Sequence, residues 1–162
     1  MNIENLILIV FFLVVILIVK KFLETRTETK KWPYKKKDYL LSIAEKEFYR
    51  VLSAIAEKNS YLVFTKVRFE DLLWLPKHTN YRFELRNRVK SRHVDFVLCD
   101  KNNIKPLLVI ELDDSSHTNK YRQKRDNFIN DVLHDAGLPV FHQKVQNSYN
   151  IQETESEILK LL

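Results

Sequence analysis

Residues 6–19, LILIVFFLVVILIV, carry no polar side chain, so a helix through them has no face to turn to water and an ordinary surface or core helix is excluded. The run covers about 21 Å at 1.5 Å per residue, short of the roughly 30 Å hydrocarbon core of a bilayer. Ile3, Phe22 and Leu23 extend it, and Lys20 and Lys21 can snorkel to the headgroups. A cleaved signal peptide would need a basic leading segment and small residues at the cut; here Glu4 is the charged side chain ahead of the run and no A-x-A follows. The pattern predicts an uncleaved transmembrane anchor over residues 1–23, a linker over 24–37 and a globular domain over 38–162.

Within the domain, Ser42-Ile43-Ala44-Glu45 reads as a capping box, and Leu41, Phe48, Val51, Leu52 and Ile55 form an apolar stripe at helical spacing. Glu45 stands in that stripe, either to satisfy free N–H groups at the helix start or to face a polar site. Tyr61 to Phe69 reads as a strand, and Glu70 to Leu75 as a helical turn ended by Pro76. Two runs then alternate with period two, Arg92 to Cys99 and Pro106 to Asp113, joined by the polar turn Asp100-Lys101-Asn102-Asn103. Their apolar faces are Val94, Phe96, Leu98 and Leu108, Ile110, Leu112, all at even positions. An antiparallel register that matches these faces sets Asp95, Glu111 and Asp113 together on the other one, with Asp95 opposite Val109 and diagonal to Glu111.

Beyond, Thr118 or Asn119 can cap a helix with Tyr121, Arg125, Phe128, Ile129, Val132 and Ala136 on one side. Gly137 suits its C-terminal end. A strand from Leu138 to His142 completes a right-handed parallel crossover, and residues 151–162 form a last helix. His134 and His142 read as ordinary polar positions. The fold class is α/β, a central mixed sheet flanked by helices and preceded by one membrane helix.

The net charge of +6 changes this picture less than it suggests. Residues 1–19 contribute −1, residues 20–37 contribute 8 − 2 = +6, and residues 38–162 contribute 19 − 18 = +1. The excess is next to the anchor, where the positive-inside rule puts the domain in the cytoplasm and anionic headgroups attract the linker. The lone Cys99 agrees with a reducing compartment. Inside the domain, Arg82, Arg86, Arg88, Lys90 and Arg92 form a basic stretch that suits phosphate contacts or a solvated loop.

Two carboxylates as close as Asp95 and Glu111 repel unless a cation or a proton intervenes. Solvation at strand ends, or capping of the following helix, is the plain alternative. A hard ion such as Mg²⁺, or Mn²⁺, held by Asp95, Glu111 and Asp113 and keeping some of its waters, suits such a cluster. Zinc suits it less in a chain with one cysteine.

Asp95, then after 16 positions Glu111-x-Asp113 and His117, together with Glu45, Val94-Asp95-Phe96, Ile110-Glu111-Leu112-Asp113, Arg125 and Ala136-Gly137-Leu138-Pro139, resembles the PD-(D/E)XK restriction-endonuclease-like nucleases. It is most similar to the bacterial domain-of-unknown-function family 2726, which is akin to the very-short-patch-repair endonucleases. The lysine that usually follows the glutamate by two residues is Asp113 here, as in branches with an E-x-D…H pattern. The resemblance implies a restriction-endonuclease-like sheet, Mg²⁺-dependent phosphodiester hydrolysis and DNA as partner; the anchor and the basic linker predict a single-pass protein of the inner membrane with its C-terminal domain cytoplasmic. It implies Asp95 and Glu111 as metal ligands, Asp113 ligating or orienting a water, His117 moving a proton, Arg125 answering phosphate charge and Glu45 facing the metal. The rival expectation is a catalytically inactive module of the same fold that binds nucleic acid or a protein at the membrane.

Overall fold

A computed structural model of the chain describes residues 2–26, 31–113 and 120–162, without the side chains of 25–26 and 120–126. Two compact units emerge, residues 1–38 and residues 39–162. The first contains helix α1 (Ile3–Arg26). Its segment Ile3–Glu24 has 22 residues, and an 18-residue window within it has a mean hydropathy of 3.0 and no burial; the segment is about 33 Å long at 1.5 Å per residue, enough to cross a bilayer. The helix outruns the apolar stretch because Asn2 to Asn5 and Lys20 to Arg26 continue the same hydrogen-bonded turns.

The second unit is a mixed α/β structure. A four-stranded sheet runs in the order β1 (Tyr61–Arg68), β2 (His93–Asp100), β3 (Pro106–Asp113), β4 (Val140–Lys144). The first three strands are antiparallel and β3 pairs with β4 in parallel. Helices α2 (Ile43–Lys58) and α6 (Ile151–Leu159) cover one face, where Phe48, Leu52, Ile55 and Ile158 pack on Phe96, Leu98, Leu108 and Ile110. Helices α3 (Phe69–Leu72) and α5 (Lys120–Asp135) cover the other, where Phe69, Ile129 and Leu133 pack on Val97, Cys99 and Val109. Each fully buried Phe, Leu or Ile contributes about 1.5–3 kcal/mol, so these two apolar layers, rather than the surface ion pairs, hold the sheet.

The capping box at α2 forms as read: Ser42 Oγ accepts from the Glu45 N–H, and Glu45 Oε2 accepts from the Ser42 N–H at 2.8 Å. Gly137 closes α5 with φ +72°, the Leu138 N–H reaching back to the Leu133 carbonyl. The hairpin differs. Asp100 Oδ1 accepts from the Asn102 and Asn103 N–H groups, Ile104 takes φ +57°, and the loop runs on through Lys105 before β3 begins. With a shift between Leu98 and Cys99, the longer loop moves the pairing by two residues, so Val97, not Asp95, faces Val109. Parity, and hence the apolar face of Phe96, Leu98, Leu108 and Ile110, survives a slip of two. Residues expected as a helical turn up to Pro76 are helical only to Leu72, and Arg82–Val89 form helix α4.

Candidate active site

The recorded β2/β3 ladder ends at Phe96↔Ile110. Carried one step further, the register sets Asp95 directly opposite Glu111 rather than diagonal to it. The next amide along β3, the Leu112 N–H, donates to Asp95 Oδ2 at 3.1 Å. The Asp95 carboxylate thus takes a bond that a strand carbonyl would otherwise receive, and it is wedged where the two strands part.

On its other side β2 meets β1, where the pairs Thr65↔Phe96 and Val67↔Val94 leave Lys66 facing Asp95. Lys66 has φ +54°, a left-handed conformation that costs a lysine about 1 kcal/mol or more and persists only where the surroundings compel it. Here both strands change face. Tyr61, Val63, Phe96 and Leu98 pack toward α2, whereas Val67 and Val94 pack in the opposite layer. The kink delivers the Lys66 ammonium to Asp95 Oδ1 at 2.7 Å and Glu45 Oε1 at 2.6 Å. All three side chains are largely enclosed, with relative exposures of 22% for Lys66 and 17% for each carboxylate. Glu45 therefore does two things at once, one carboxylate oxygen capping α2 and the other taking the lysine.

Burial alone would lower the Lys66 pKa, but hydrogen bonds and charge from Asp95 and Glu45 outweigh it and hold the ammonium above its ordinary value. For Glu111 the balance differs. Burial, then the charge of Asp95 and a side-chain hydrogen bond with it, push Glu111 up to about 8; the Asp95 backbone works against the shift and Asp113 adds to it. A raised carboxyl pKa means that the folded chain holds a proton the unfolded chain has lost. Metal-free stability should therefore fall as pH rises from about 4.5 through about 8, by on the order of 3–5 kcal/mol in total. Thermal melts in chelator across that window should show the decline, and Glu111→Gln should remove most of it. An unchanged pH profile in the variant would refute the assignment.

Glu111 and Asp113 open into a cavity of about 620 Å³, lined also by Phe69, Ser91, Arg92, His93 and His142. Asp113 lies at 3.1 Å from His142 Nδ1, whose Nε2 lies 3.3 Å from Asn130 Oδ1. Among the described residues no group of three or more His, Cys, Asp or Glu gathers for a metal ion. The structure brings Asp95 and Glu111 together and leaves Asp113 with His142. His117 lies outside the described residues, as does the side chain of Arg125.

Of the basic candidates, Arg92 lines the carboxylate cavity. Arg86 binds Glu70 at 2.6 Å, and Glu70, shared with Arg68, is held below the usual carboxylate range mainly by the Arg86 hydrogen bond. Arg88 sits 3.6 Å over the ring of Phe128, Arg82 reaches the Leu75 carbonyl, and Lys90 ends α4. Sequence reasoning passed over Lys66 and His142. The signal for Lys66 was its lone charge in the run YLVFTKV; no comparable signal marked His142.

A family model described as "Protein of unknown function (DUF2726)" matches residues 37–161. No curated protein and no solved structure matches the chain. With the match covering more than half of its length, the chain belongs to this family.

Proposed function

We propose that this DUF2726 member is a membrane-anchored, metal-dependent nuclease of the restriction-endonuclease-like kind, hydrolysing phosphodiester bonds of nucleic acid, with DNA the expected substrate. The observation that carries the reading is the convergence of Lys66, Asp95 and Glu111 from three neighbouring strands, beside an open cavity. Where the E-x-D motif lacks its usual lysine, a lysine from β1 pairs with Asp95, the carboxylate beside Glu111.

The donor set fits a hard divalent ion. Asp95 and Glu111 offer oxygen ligands, and burial together with the Asp95 charge favours the protonated Glu111, a proton that a bound cation would displace. Bound there, Mg²⁺ or Mn²⁺ would polarise a phosphoryl oxygen and acidify a water. The chain's own residues do the rest. Lys66 fixes the Asp95 carboxylate in place, and Arg92 offers charge to a phosphate in the cavity. Asp113 orients a water through its pairing with His142, while His117 and Arg125 keep the roles of proton carrier and phosphate partner. The basic linker places the domain on the cytoplasmic side of the inner membrane, so external protease added to spheroplasts should leave the C-terminus intact; its digestion would refute that orientation.

The ion is tested by melting the detergent-solubilised full chain with and without Mg²⁺. At a concentration 100-fold above Kd the ion should stabilise by about 2.7 kcal/mol, and Glu111→Gln should abolish the effect. A wild-type curve indifferent to millimolar Mg²⁺ and Mn²⁺ would favour the rival, a non-catalytic binding module. That rival draws on one observation: Lys66 already pairs with both Asp95 and Glu45.

A further inference from the structure

Helix α4 and the segment before it display three aromatic side chains that nothing covers: Trp74 at 80% exposure, Tyr81 at 80% and Phe83 at 75%. Large aromatics usually contribute by being buried, so three within ten residues make a patch that calls for a partner. Trp74 forms one wall of a groove of about 660 Å³, with Lys77, Arg82, Arg86, Val89 and Phe128 among the other walls. Residues 77–92 carry 6 − 1 = +5, so that the remainder of the 38–162 domain, at +1 − 5 = −4, is acidic. The domain's positive charge is therefore concentrated where its exposed aromatics are.

The groove adjoins the carboxylate cavity. Glu70 and Val89 line the one, while Phe69, Ser91 and Arg92 line the other. We propose that this groove is a platform for single-stranded nucleic acid, with an unpaired base stacking on Trp74 in its wall and neighbouring bases on the exposed Tyr81 and Phe83 outside its lining, while Lys77, Arg82 and neighbouring cations track the phosphates and lead the strand toward Asp95 and Glu111. The chemistry selects the single strand. A duplex buries its base faces within its own stack, whereas an unpaired base offers a π-face of any sequence to an aromatic ring. This inference deepens the nuclease reading and rests on it for the fate of the bound strand.

Binding is measured by fluorescence anisotropy on the full chain in detergent with chelator present, using a labelled 20-nucleotide strand and a 20-base-pair duplex of the same sequence. The strand should bind at least tenfold tighter than the duplex. Trp74→Ala should weaken strand binding about tenfold and duplex binding less than twofold, Trp74→Phe should restore most of the loss, and Arg82→Glu should flatten the salt dependence. Equal or tighter duplex binding, no response to Trp74→Ala, or no nucleic-acid binding at all would overturn the platform; the last result would point to a protein partner for the patch. Glu111→Gln, with an intact groove, should keep the preference. Strand preference without metal-dependent cleavage supports the platform and removes the nuclease reading, whereas cleavage without strand preference overturns the platform alone.

Discussion

Replacing Lys66 by methionine should cost the domain about 2–3 kcal/mol, because the change leaves two largely enclosed carboxylates, Glu45 and Asp95, without their shared cation. The fully buried case would cost more; partial solvent access to all three groups reduces it. For a domain of this size the loss amounts to a melting temperature lower by roughly 10 °C. Lys66→Gly should recover about 1 kcal/mol of that deficit, since glycine accepts φ +54° without strain. Adding Glu45→Gln and Asp95→Asn to Lys66→Met should recover more, by removing the orphaned charges. A melting temperature within 1 °C of wild type for Lys66→Met would show that the ion triad contributes nothing, and the lysine would lose its place in the site.

Much of this arrangement is legible in the chain. The stripe at Phe48, Leu52 and Ile55, the capping box at Ser42 and the apolar face of Phe96, Leu98, Leu108 and Ile110 follow from period and capping chemistry, whereas Val94, expected on that face, packs in the opposite layer beyond the kink. The hairpin register is not, because a loop with a left-handed Ile104 and a shift at Leu98/Cys99 depends on local geometry that residue type signals weakly. That two-residue difference turns a diagonal Asp95–Glu111 relation into a facing one.

The kink at Lys66 is harder still to foresee. Alternation predicts one face for the whole strand, and a lysine with positive φ breaks it to satisfy two carboxylates that lie 21 and 29 positions away along the chain. A sequence shows the unpaired acids of a motif; the cation that answers them can come from any neighbouring strand. The separation of Asp113 from the other two acids has the same origin, since His142 reaches it only through the parallel β3/β4 register, Glu111↔His142 and Asp113↔Lys144.

The largest functional effect is expected at Glu111. Glu111→Gln keeps the shape of the side chain and its capacity to bond Asp95, but removes the negative charge that would hold an ion. Cleavage should fall at least a hundredfold, about 2.7 kcal/mol of transition-state stabilisation. Nucleic-acid affinity should stay within twofold, because phosphate contacts from Arg82, Arg88, Lys90 and Arg92 are untouched. A parallel loss of affinity would place Glu111 in binding instead of chemistry. The same variant should melt higher than wild type at pH 9 in chelator, since it no longer confines an ionised Glu111 beside Asp95.

The central claim is metal-dependent hydrolysis at the Asp95–Glu111 pair, and the most direct measurement is cleavage of labelled single-stranded and duplex DNA and RNA by the purified full chain in detergent. With Mg²⁺ or Mn²⁺ the chain should cut at least one of these substrates, chelator should stop it, and Glu111→Gln purified in parallel should be inactive. Wild-type protein that binds these nucleic acids and leaves all of them intact with either metal, or that cuts them equally well in chelator, would contradict the account.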